Sequence, residues 1–362
     1  MDGLENVVAA ETTLSDVDGL GGRLIIKGYR VEDIAGQMSF EAAAHLLLDG
    51  LVEDLPDVAD FTRRLGQARA KAFAEVASID PQLLAHPPVD ALRALLARLP
   101  DGDDLEIALR LLAAPAVFTP AIVRLQGGQP PIAPDPRLGQ AGDVLRMLKG
   151  AATSTAASAA LDAYLVTIID HGFNASTFAA RVAASTRAGL TSAALAGLCA
   201  LKGPLHGGAP GPVIEMLDQI GASDRAEAWL EQALDRGDRL MGFGHRIYRV
   251  RDPRADALKR AVRALVRASN VLPGRLALAE AVEAAALELL RRRKPDRPLQ
   301  TNVEFYTAIL LEALGFPAEA FTCVFAMGRM AGWIAHAREQ ILSGRLIRPQ
   351  SRYVGPAPRV AA

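Results

Sequence analysis

Hydrophobic residues recur along most of this chain at the three- and four-residue spacing of helices. Ser39 is a suitable N-cap for the first such stretch, and Gly50 a suitable stop. Only residues 24–29, a short apolar run bounded by glycines, have the pattern of a strand or hairpin. The pattern predicts a mostly α fold with a small N-terminal β segment. Helices are predicted at 40–48, 58–76, 90–99, 104–113, 142–169, 178–186, 191–201, 213–220, 224–236, 253–271, 276–293 and 321–342. A further helix is predicted to follow residue 306 and to end at residue 314.

Composition narrows the class of protein. Hydrophobic residues make up 50% of the 362 residues and charged residues 22%, which is typical of a globular chain long enough for two domains. Lys+Arg 40 against Asp+Glu 41 gives no basic excess for nucleic acid. We see neither a secretory leader nor an apolar run of about 18 residues, and expect no membrane span. Cys199 and Cys323 lie in apolar surroundings and are predicted to be buried free thiols in the cytoplasm.

One stretch, residues 241–254, concentrates groups that can bind an anionic carbonyl compound. It contains two glycines, His245 and four arginines within fourteen residues, followed by a helix that begins near Pro253. Glycine allows a ligand to approach the backbone, histidine can donate a hydrogen bond to a carbonyl, and arginine matches a carboxylate or phosphate. A solvated basic loop leading into a helix is the alternative interpretation.

The distribution of histidines points to two further loops. Of six histidines, His171, His206 and His245 fall in loops that contain glycine or asparagine, whereas His45 and His336 fall in helices as packed or surface residues. No histidines have metal-ligand spacing, so no metal site is expected. Loop histidines, a carboxylate and arginines suit, among other chemistries, carbon–carbon bond formation beside a carbonyl. A carboxylate removes a proton next to a thioester while imidazoles stabilise the enolate and polarise the acceptor.

Several ordered motifs resemble the citrate synthase family, and together they span nearly the whole chain. The resemblance is weakest between about 50 and 140. It is carried by Gly203-Pro204-Leu205-His206-Gly207-Gly208-Ala209, Gly242-Phe243-Gly244-His245-Arg246-Ile247-Tyr248 with Asp252-Pro253-Arg254, Asn302-Val303-Glu304-Phe305-Tyr306, the run from Val7 to Tyr29, His171-Gly172-Phe173-Asn174-Ala175-Ser176-Thr177-Phe178, and Arg345-Leu346-Ile347-Arg348-Pro349.

The resemblance implies condensation of acetyl-CoA with oxaloacetate, followed by hydrolysis of citryl-CoA to citrate and CoA. His206 would hydrogen-bond the thioester carbonyl, His245 the keto oxygen, and Glu304 would be the base. No cofactor is implied beyond the coenzyme A thioester, which is a substrate. The oxaloacetate-binding residues would be His171, Arg254 and Arg329, with Arg348 reaching the partner's site in a homodimer, and Arg249 would face coenzyme A phosphates.

Glu304 departs from the resemblance, because the family's base is usually an aspartate. One extra methylene displaces the carboxylate by about a bond length, and a catalytic group misplaced by about 1 Å can lose about a hundredfold in rate. We expect the local structure to compensate, so that Glu304 reaches the same point. The alternatives are a 2-methylcitrate synthase using propionyl-CoA, since one methylene gives only about 1–3 kcal/mol of discrimination, and a weakly active paralogue that binds ligands.

The resemblance also implies an architecture. A large helical domain would combine residues 1–212 and 316–362, and a small domain would span 213–315, with the active site in the cleft between them. We expect a homodimer without NADH inhibition, because the N-terminal extension of the hexameric members is missing. The basic run Arg291-Arg292-Arg293-Lys294 either suits the negative end of a helix dipole or meets a coenzyme phosphate.

Overall fold

The computed structural model describes residues 3–4, 7–207, 210–245, 247–269, 271–296 and 299–358. Gly208, Ala209 and Arg246 of the motifs above lie outside this part of the chain. The N-terminal region forms one antiparallel sheet in the order β1-β2-β3, with Ser15 opposite Ile26. This confirms the predicted β segment. The strands are β1 (Ser15–Asp18), β2 (Arg23–Ile26) and β3 (Tyr29–Arg30).

The remaining regular secondary structure of the described residues is helical, which confirms the mostly α prediction. The Ser39 hydroxyl accepts a hydrogen bond from the Ala42 N–H at 3.2 Å, as expected of an N-cap. The helices are α1 (Val31–Ile34), α2 (Phe40–Leu48), α3 (Val58–Ala72), α4 (Pro88–Leu96), α5 (Leu105–Gln126), α6 (Gln140–Lys149), α7 (Thr155–Thr167), α8 (Ala175–Ser185), α9 (Leu190–Leu201), α10 (Pro210–Ile220), α11 (Ala226–Asp235), α12 (Pro253–Ser269), α13 (Pro273–Arg293), α14 (Val303–Leu314) and α15 (Phe321–Ser343).

Three sequence predictions need correction. The helix predicted over 142–169 is two helices, because Gly150 adopts a left-handed conformation (φ 73°) that ends α6. Helix α5 is long and apolar enough to cross a membrane, contrary to our expectation of no such run. However, 83% of its most apolar window is buried inside the protein, as in a core helix. Cys199 is exposed, and only Cys323 is buried.

Helix α15 crosses the core and supports the segment that leads out of α7. Two glycines on α15 allow this close approach. A Cβ atom at Gly328 would lie 2.6 Å from the Ile168 side chain, and one at Gly332 would lie 2.5 Å from the Ile169 carbonyl. Because any larger residue would push the two segments apart, this packing fixes the position of residues 168–172, which include His171, relative to α15.

Candidate active site

The loop that carries His245 is attached to the start of α14. Gly244 N–H donates to the Gln300 carbonyl at 2.8 Å, and Asn302 N–H donates to the Gly242 carbonyl at 2.9 Å. Both glycines have positive φ, and a Cβ atom at Gly242 would lie 2.7 Å from the Phe305 ring. This short ribbon brings His245 close to the first turn of α14, although the two are about sixty residues apart in sequence.

The backbone fixes the tautomer of His245. The N–H groups of Ile247 and Tyr248 both donate to Nδ1, at 3.0 and 3.1 Å. The proton of the neutral ring therefore lies on Nε2. Arg254 Nη2 lies 3.3 Å from Nε2, so two donors face the same space, where an oxygen acceptor could receive both. Burial, followed by the charge of Arg254, lowers the pKa of His245 to about 4, and the ring is neutral at pH 7.

Arg254 is held by a carboxylate that also contacts α14. Asp252 accepts from Arg254 Nε at 3.0 Å and Nη2 at 2.8 Å, in the bidentate geometry typical of such pairs. The Val303 N–H donates to the same carboxylate at 3.2 Å. Arg254 is 3% exposed, so Asp252 fixes a buried guanidinium beside both His245 and the start of α14.

His171 and Arg329 complete one side of the site. The His171 ring centroid lies 5.8 Å from that of His245, and its Nε2 lies 3.2 Å from the Tyr248 hydroxyl. Burial holds the pKa of His171 well below its usual value of 6.5. Arg329 Nε donates to the Ile168 carbonyl at 2.7 Å, and its other donors have no acceptor among the described residues. Burial lowers the pKa of Arg329 to about 10, which leaves a cation free to bind an anion.

His206 lies in the turn after α9 and contacts the start of α8. Its Nε2 is 2.9 Å from Ser176 Oγ and 3.2 Å from Asn174 Oδ1, and Asn174 caps α8. Burial, followed by the charges of Arg329 and Arg254, lowers the pKa of His206 to about 4. The same two guanidiniums also lower the pKa of His171. His206 therefore belongs to the same cluster as the other loop histidines.

Glu304 is the second residue of α14, and the cap of this helix fixes its backbone. Asn302 Oδ1 accepts from the Glu304 N–H at 3.0 Å. Glu304 is half-buried, and its carboxylate receives no side-chain hydrogen bond from the described residues. Burial raises the pKa of Glu304 from 4.5 to about 7, although Arg254 and Arg329 oppose the rise. A carboxyl group with a pKa near neutrality can accept and release a proton.

Arg249 and Arg348 are not brought into this cluster. Both side chains are exposed, and neither contacts the other predicted site residues within the described structure. Arg249 N–H donates to the Gly19 carbonyl at 2.8 Å, so its backbone is attached to the β1–β2 turn. Arg348 follows Ile347, whose N–H donates to Ser185 Oγ at 3.1 Å.

The structure adds supporting residues that the sequence analysis gave no role. Asp170 directly precedes His171, and its carboxylate lies 3.2 Å from His336 Nε2 and accepts from the Ser15 hydroxyl. His336 Nδ1 accepts from Arg181 at 3.1 Å, so its proton is on Nε2, facing Asp170. The sequence offered only a slight indication of this pair. Asp170 is an acidic residue next to a loop histidine, and His336 is a histidine in an apolar helix.

A mostly helical frame gathers three neutral imidazoles, a carboxyl group able to exchange protons and two buried guanidiniums. This combination defines a condensing enzyme of the acyltransferase class. Residues 3–350 match the family described as "Citrate synthase, C-terminal domain". The chain belongs to this family, which confirms the resemblance.

Known relatives match nearly the full length of the chain. A citrate synthase of Haloferax volcanii is 35% identical, covering 98% of this chain and 95% of the relative. A 2-methylcitrate synthase of Mycobacterium tuberculosis is 36% identical, covering 99% and 91%. The solved ternary complex of citrate synthase from Thermoplasma acidophilum with carboxymethyl coenzyme A and oxaloacetate has a TM-score of 0.85 and 29% identity, covering 99% and 97%.

Proposed function

We propose that the protein condenses acetyl-CoA with oxaloacetate and hydrolyses the resulting citryl-CoA to citrate and CoA. The observation that carries this proposal is the convergence of neutral His206 and His245 with Glu304 around Arg254 and Arg329. The relative from Thermoplasma acidophilum, solved with oxaloacetate and a coenzyme A analogue, supports the choice of substrates. The reaction needs only the two substrates and water.

Oxaloacetate binds on the side of the site formed by His171, Arg254 and Arg329. Arg329 has donors without acceptors, and Arg254 directs Nη2 towards the space in front of His245. Two buried guanidiniums can each bind one carboxylate of a dianion in a water-poor environment, where charge-assisted hydrogen bonds are strong. The Nε2–H of His245 then donates to the keto oxygen between them.

Glu304 removes a proton from the methyl group of acetyl-CoA, and His206 donates a hydrogen bond to the thioester oxygen as the enol forms. Ser176 Oγ donates its proton to Asn174 Oδ1 at 2.7 Å and accepts from Trp333 Nε1–H at 3.2 Å. Both neighbours of His206 Nε2 are therefore acceptors, which places the ring proton on Nε2 in the free enzyme. The enol carbon then attacks the keto carbon, the keto oxygen takes a proton from His245, and water cleaves the thioester.

The coenzyme end of the substrate extends across the small domain. Arg291 and Lys294 line a surface cavity of about 340 Å³ with Leu299 and Gln300, and the Gln300 carbonyl is bonded to the His245 loop. Arg249 is exposed on the same loop. Arg291 is paired with Glu288, which lines the same cavity, at 2.8 Å. The guanidiniums of Arg292 and Arg293 lie 2.9 Å from Glu227 and 3.0 Å from Asp235 on α11, so these two positions connect α13 to α11.

The active molecule is a homodimer in which α8 and α9 form the interface. These helices carry one charged residue, Arg181, and it is buried. Their outward sides present Phe178, Val182, Leu195 and Cys199. Surface helices without charge are typical of permanent interfaces. The segment with Arg348 is bonded to the end of α8, which is where it can reach across to a partner.

The division into a domain of residues 1–212 and 316–362 and a domain of 213–315 is part of the same proposal. Closure of the cleft excludes water while the enol exists. Light scattering tests the assembly: a dimer is expected, and a hexamer or inhibition by micromolar NADH contradicts it.

Thioester consumption with oxaloacetate and either acetyl-CoA or propionyl-CoA tests the function. We expect a higher kcat/KM for acetyl-CoA. A higher value for propionyl-CoA favours 2-methylcitrate synthase, for which the relative of Mycobacterium tuberculosis is the supporting observation. Calorimetric binding of oxaloacetate without any thioester loss would show a ligand-binding paralogue and refute both enzyme assignments.

A further inference from the structure

A buried imidazole, that of His336 on α15, lies between a carboxylate and a guanidinium that the proposed reaction does not use. Its Nε2 is 3.3 Å from Asp170 Oδ2 and 3.2 Å from Oδ1. Its Nδ1 is 3.1 Å from Arg181 Nη1. All three side chains are buried. Because a guanidinium can only donate, Nδ1 accepts, and the ring proton lies on Nε2, directed at the carboxylate.

Further contacts hold Arg181 in the orientation that this tautomer requires. Its Nη1 also donates to Glu339 Oε2 at 2.5 Å, and its Nε donates to Gln340 Oε1 at 3.0 Å. A guanidinium with three acceptors inside the protein loses much of its hydrogen bonding if it rotates. His336 is therefore a fixed donor for Asp170.

The Asp170 carboxylate in turn anchors the backbone on both sides of His171. The Ser15 hydroxyl donates to Asp170 Oδ2 and accepts from the Gly172 N–H at 3.0 Å. Gly172 has a φ of 57°, and a Cβ atom there would lie 3.0 Å from the Val17 side chain. His171 is thus held against α15 through the residue before it and against β1 through the residue after it.

The ring of His171 depends on this anchoring. Among the described residues its imidazole makes one hydrogen bond, in which Nε2 lies 3.2 Å from the Tyr248 hydroxyl. With so few contacts of its own, the ring points where the backbone of residues 170–172 directs it. A buried carboxylate that loses its donor is strongly disfavoured, so loss of the His336 proton should turn Asp170 away and shift this backbone.

We propose that His336 is a positioning residue for His171: it fixes the Asp170 carboxylate, and this carboxylate sets the backbone that presents the His171 ring to oxaloacetate. The inference rests on the proposed function, in which His171 binds oxaloacetate.

Two substitutions separate the two hydrogen bonds of His336. In His336→Gln the amide nitrogen reaches the place of Nε2, so Asp170 keeps a donor. In His336→Asn the amide oxygen takes the place of Nδ1 as an acceptor for Arg181, but the shorter side chain brings no donor to Asp170. Both replace a buried ring by a smaller amide, so both should lower the melting temperature.

Oxaloacetate binding distinguishes positioning from a purely structural role. His336→Asn should weaken binding, measured by calorimetry, about tenfold, which is the loss that one misplaced hydrogen bond to a charged group gives. KM for oxaloacetate should rise in parallel, with a much smaller change in kcat at saturation. His336→Gln should restore both values. Equal weakening in the Asn and Gln variants overturns the inference, because the cause would then be the lost ring and not the lost donor.

Arg338→Gln is the matched control for destabilisation. Arg338 is buried on the same helix, two residues further along and therefore on another face. It donates to the carbonyls of Leu51 at 2.8 Å and Asp103 at 2.7 Å, away from residues 168–172. Its loss should lower the melting temperature and leave oxaloacetate binding unchanged. Weakening as large as that of His336→Asn would mean that binding reports stability alone, and the inference would fail.

Ser15→Ala tests the anchor if His336→Asn does not fold. Ser15 is half-buried, so the change is milder, yet it removes the other side-chain donor to Asp170. Weaker oxaloacetate binding with an unchanged kcat supports the inference, and unchanged binding contradicts it.

NMR of protein labelled with isotopic histidine separates this inference from the proposed function, because no substrate is needed. The His171 ring signals, identified by their loss in His171→Asn, should shift in His336→Asn and return in His336→Gln. Unchanged His171 signals in His336→Asn overturn the inference. A wild-type protein that binds no oxaloacetate refutes the proposed function, while the spectra still decide whether His336 positions the His171 ring.

Discussion

Lowering the pH should stop this enzyme through a single proton on Glu304. The base acts only when it is ionised, and burial raises the pKa of Glu304 to about 7. At pH 6 about one-tenth of the carboxyl groups are ionised, so kcat/KM should be about tenfold below its plateau, and about a hundredfold below it at pH 5. His206 and His245, with pKa values of about 4, stay neutral throughout this range. The logarithm of kcat/KM should therefore fall by one unit per pH unit, as expected for a single protonation.

The assay follows the loss of thioester ultraviolet absorbance between pH 5 and 9, because reagents that detect thiols depend on pH themselves. Melting temperatures across the same range are the control for unfolding. A rate that stays constant down to pH 5 and then breaks near pH 4 would refute the reasoning, since the limiting groups would be the imidazoles. A slope of two in the logarithm of kcat/KM against pH, near pH 7, would show that a second group is protonated and would contradict the neutral state of the histidines.

The same pKa shift has a consequence for stability. The folded-state pKa of Glu304 is higher than its unfolded value of 4.5, so ionisation opposes folding. Stability from this group is lost as the pH rises from about 4.5 to 7, by at most about 3 kcal/mol. Glu304→Gln should therefore raise the free energy of unfolding at pH 8 by up to that amount, and much less at pH 4. Equal effects at the two pH values would contradict this explanation.

Three other changes test the surroundings of the site. Arg329→Gln should lower kcat/KM for oxaloacetate by about 10²–10³-fold through loss of charge-assisted hydrogen bonds, and calorimetry should show weaker oxaloacetate binding. Gly332→Ala places a methyl group 2.5 Å from the Ile169 carbonyl, so urea unfolding should show a loss of about 1–3 kcal/mol. Gly19→Ala places a methyl group 2.4 Å from the Ile247 carbonyl. Because Ile247 helps orient His245, kcat should fall by about 10- to 100-fold with little change in melting temperature.

Local signals predicted most of the helices. Ser39 was recognised as a possible cap, and its side chain accepts the expected backbone N–H group. The glycines around His245 predicted that a ligand can approach the backbone closely, and the structure shows that Gly242 also lets Phe305 of α14 pack against the loop. These features could be predicted because each depends on a few neighbouring residues.

Features that depend on burial were missed. Helix α5 continues to Gln126 through Pro115 and Pro120, although the prediction ended it at residue 113. A proline inside a helix costs stability, but both prolines lie in a continuously buried stretch, where packing outweighs the local penalty. Likewise, nothing in the sequence pairs Asp170 with His336, because these partners meet only when the segment after α7 packs against α15.

Burial and the two buried guanidiniums together set the protonation of the site. After burial, the charges of Arg254 and Arg329 lower the pKa of His206, and the charge of Arg254 lowers the pKa of His245. Both rings therefore stay neutral and keep one N–H donor each. The same charges lower the pKa of Glu304 against the effect of burial, which otherwise keeps it protonated. The residues that bind a dianionic substrate therefore also favour the ionised form of the base in the free enzyme. When the substrate neutralises these guanidiniums, they lower the pKa of Glu304 less. The acid limb of kcat should therefore lie at higher pH than that of kcat/KM for oxaloacetate, which reports the enzyme without bound oxaloacetate.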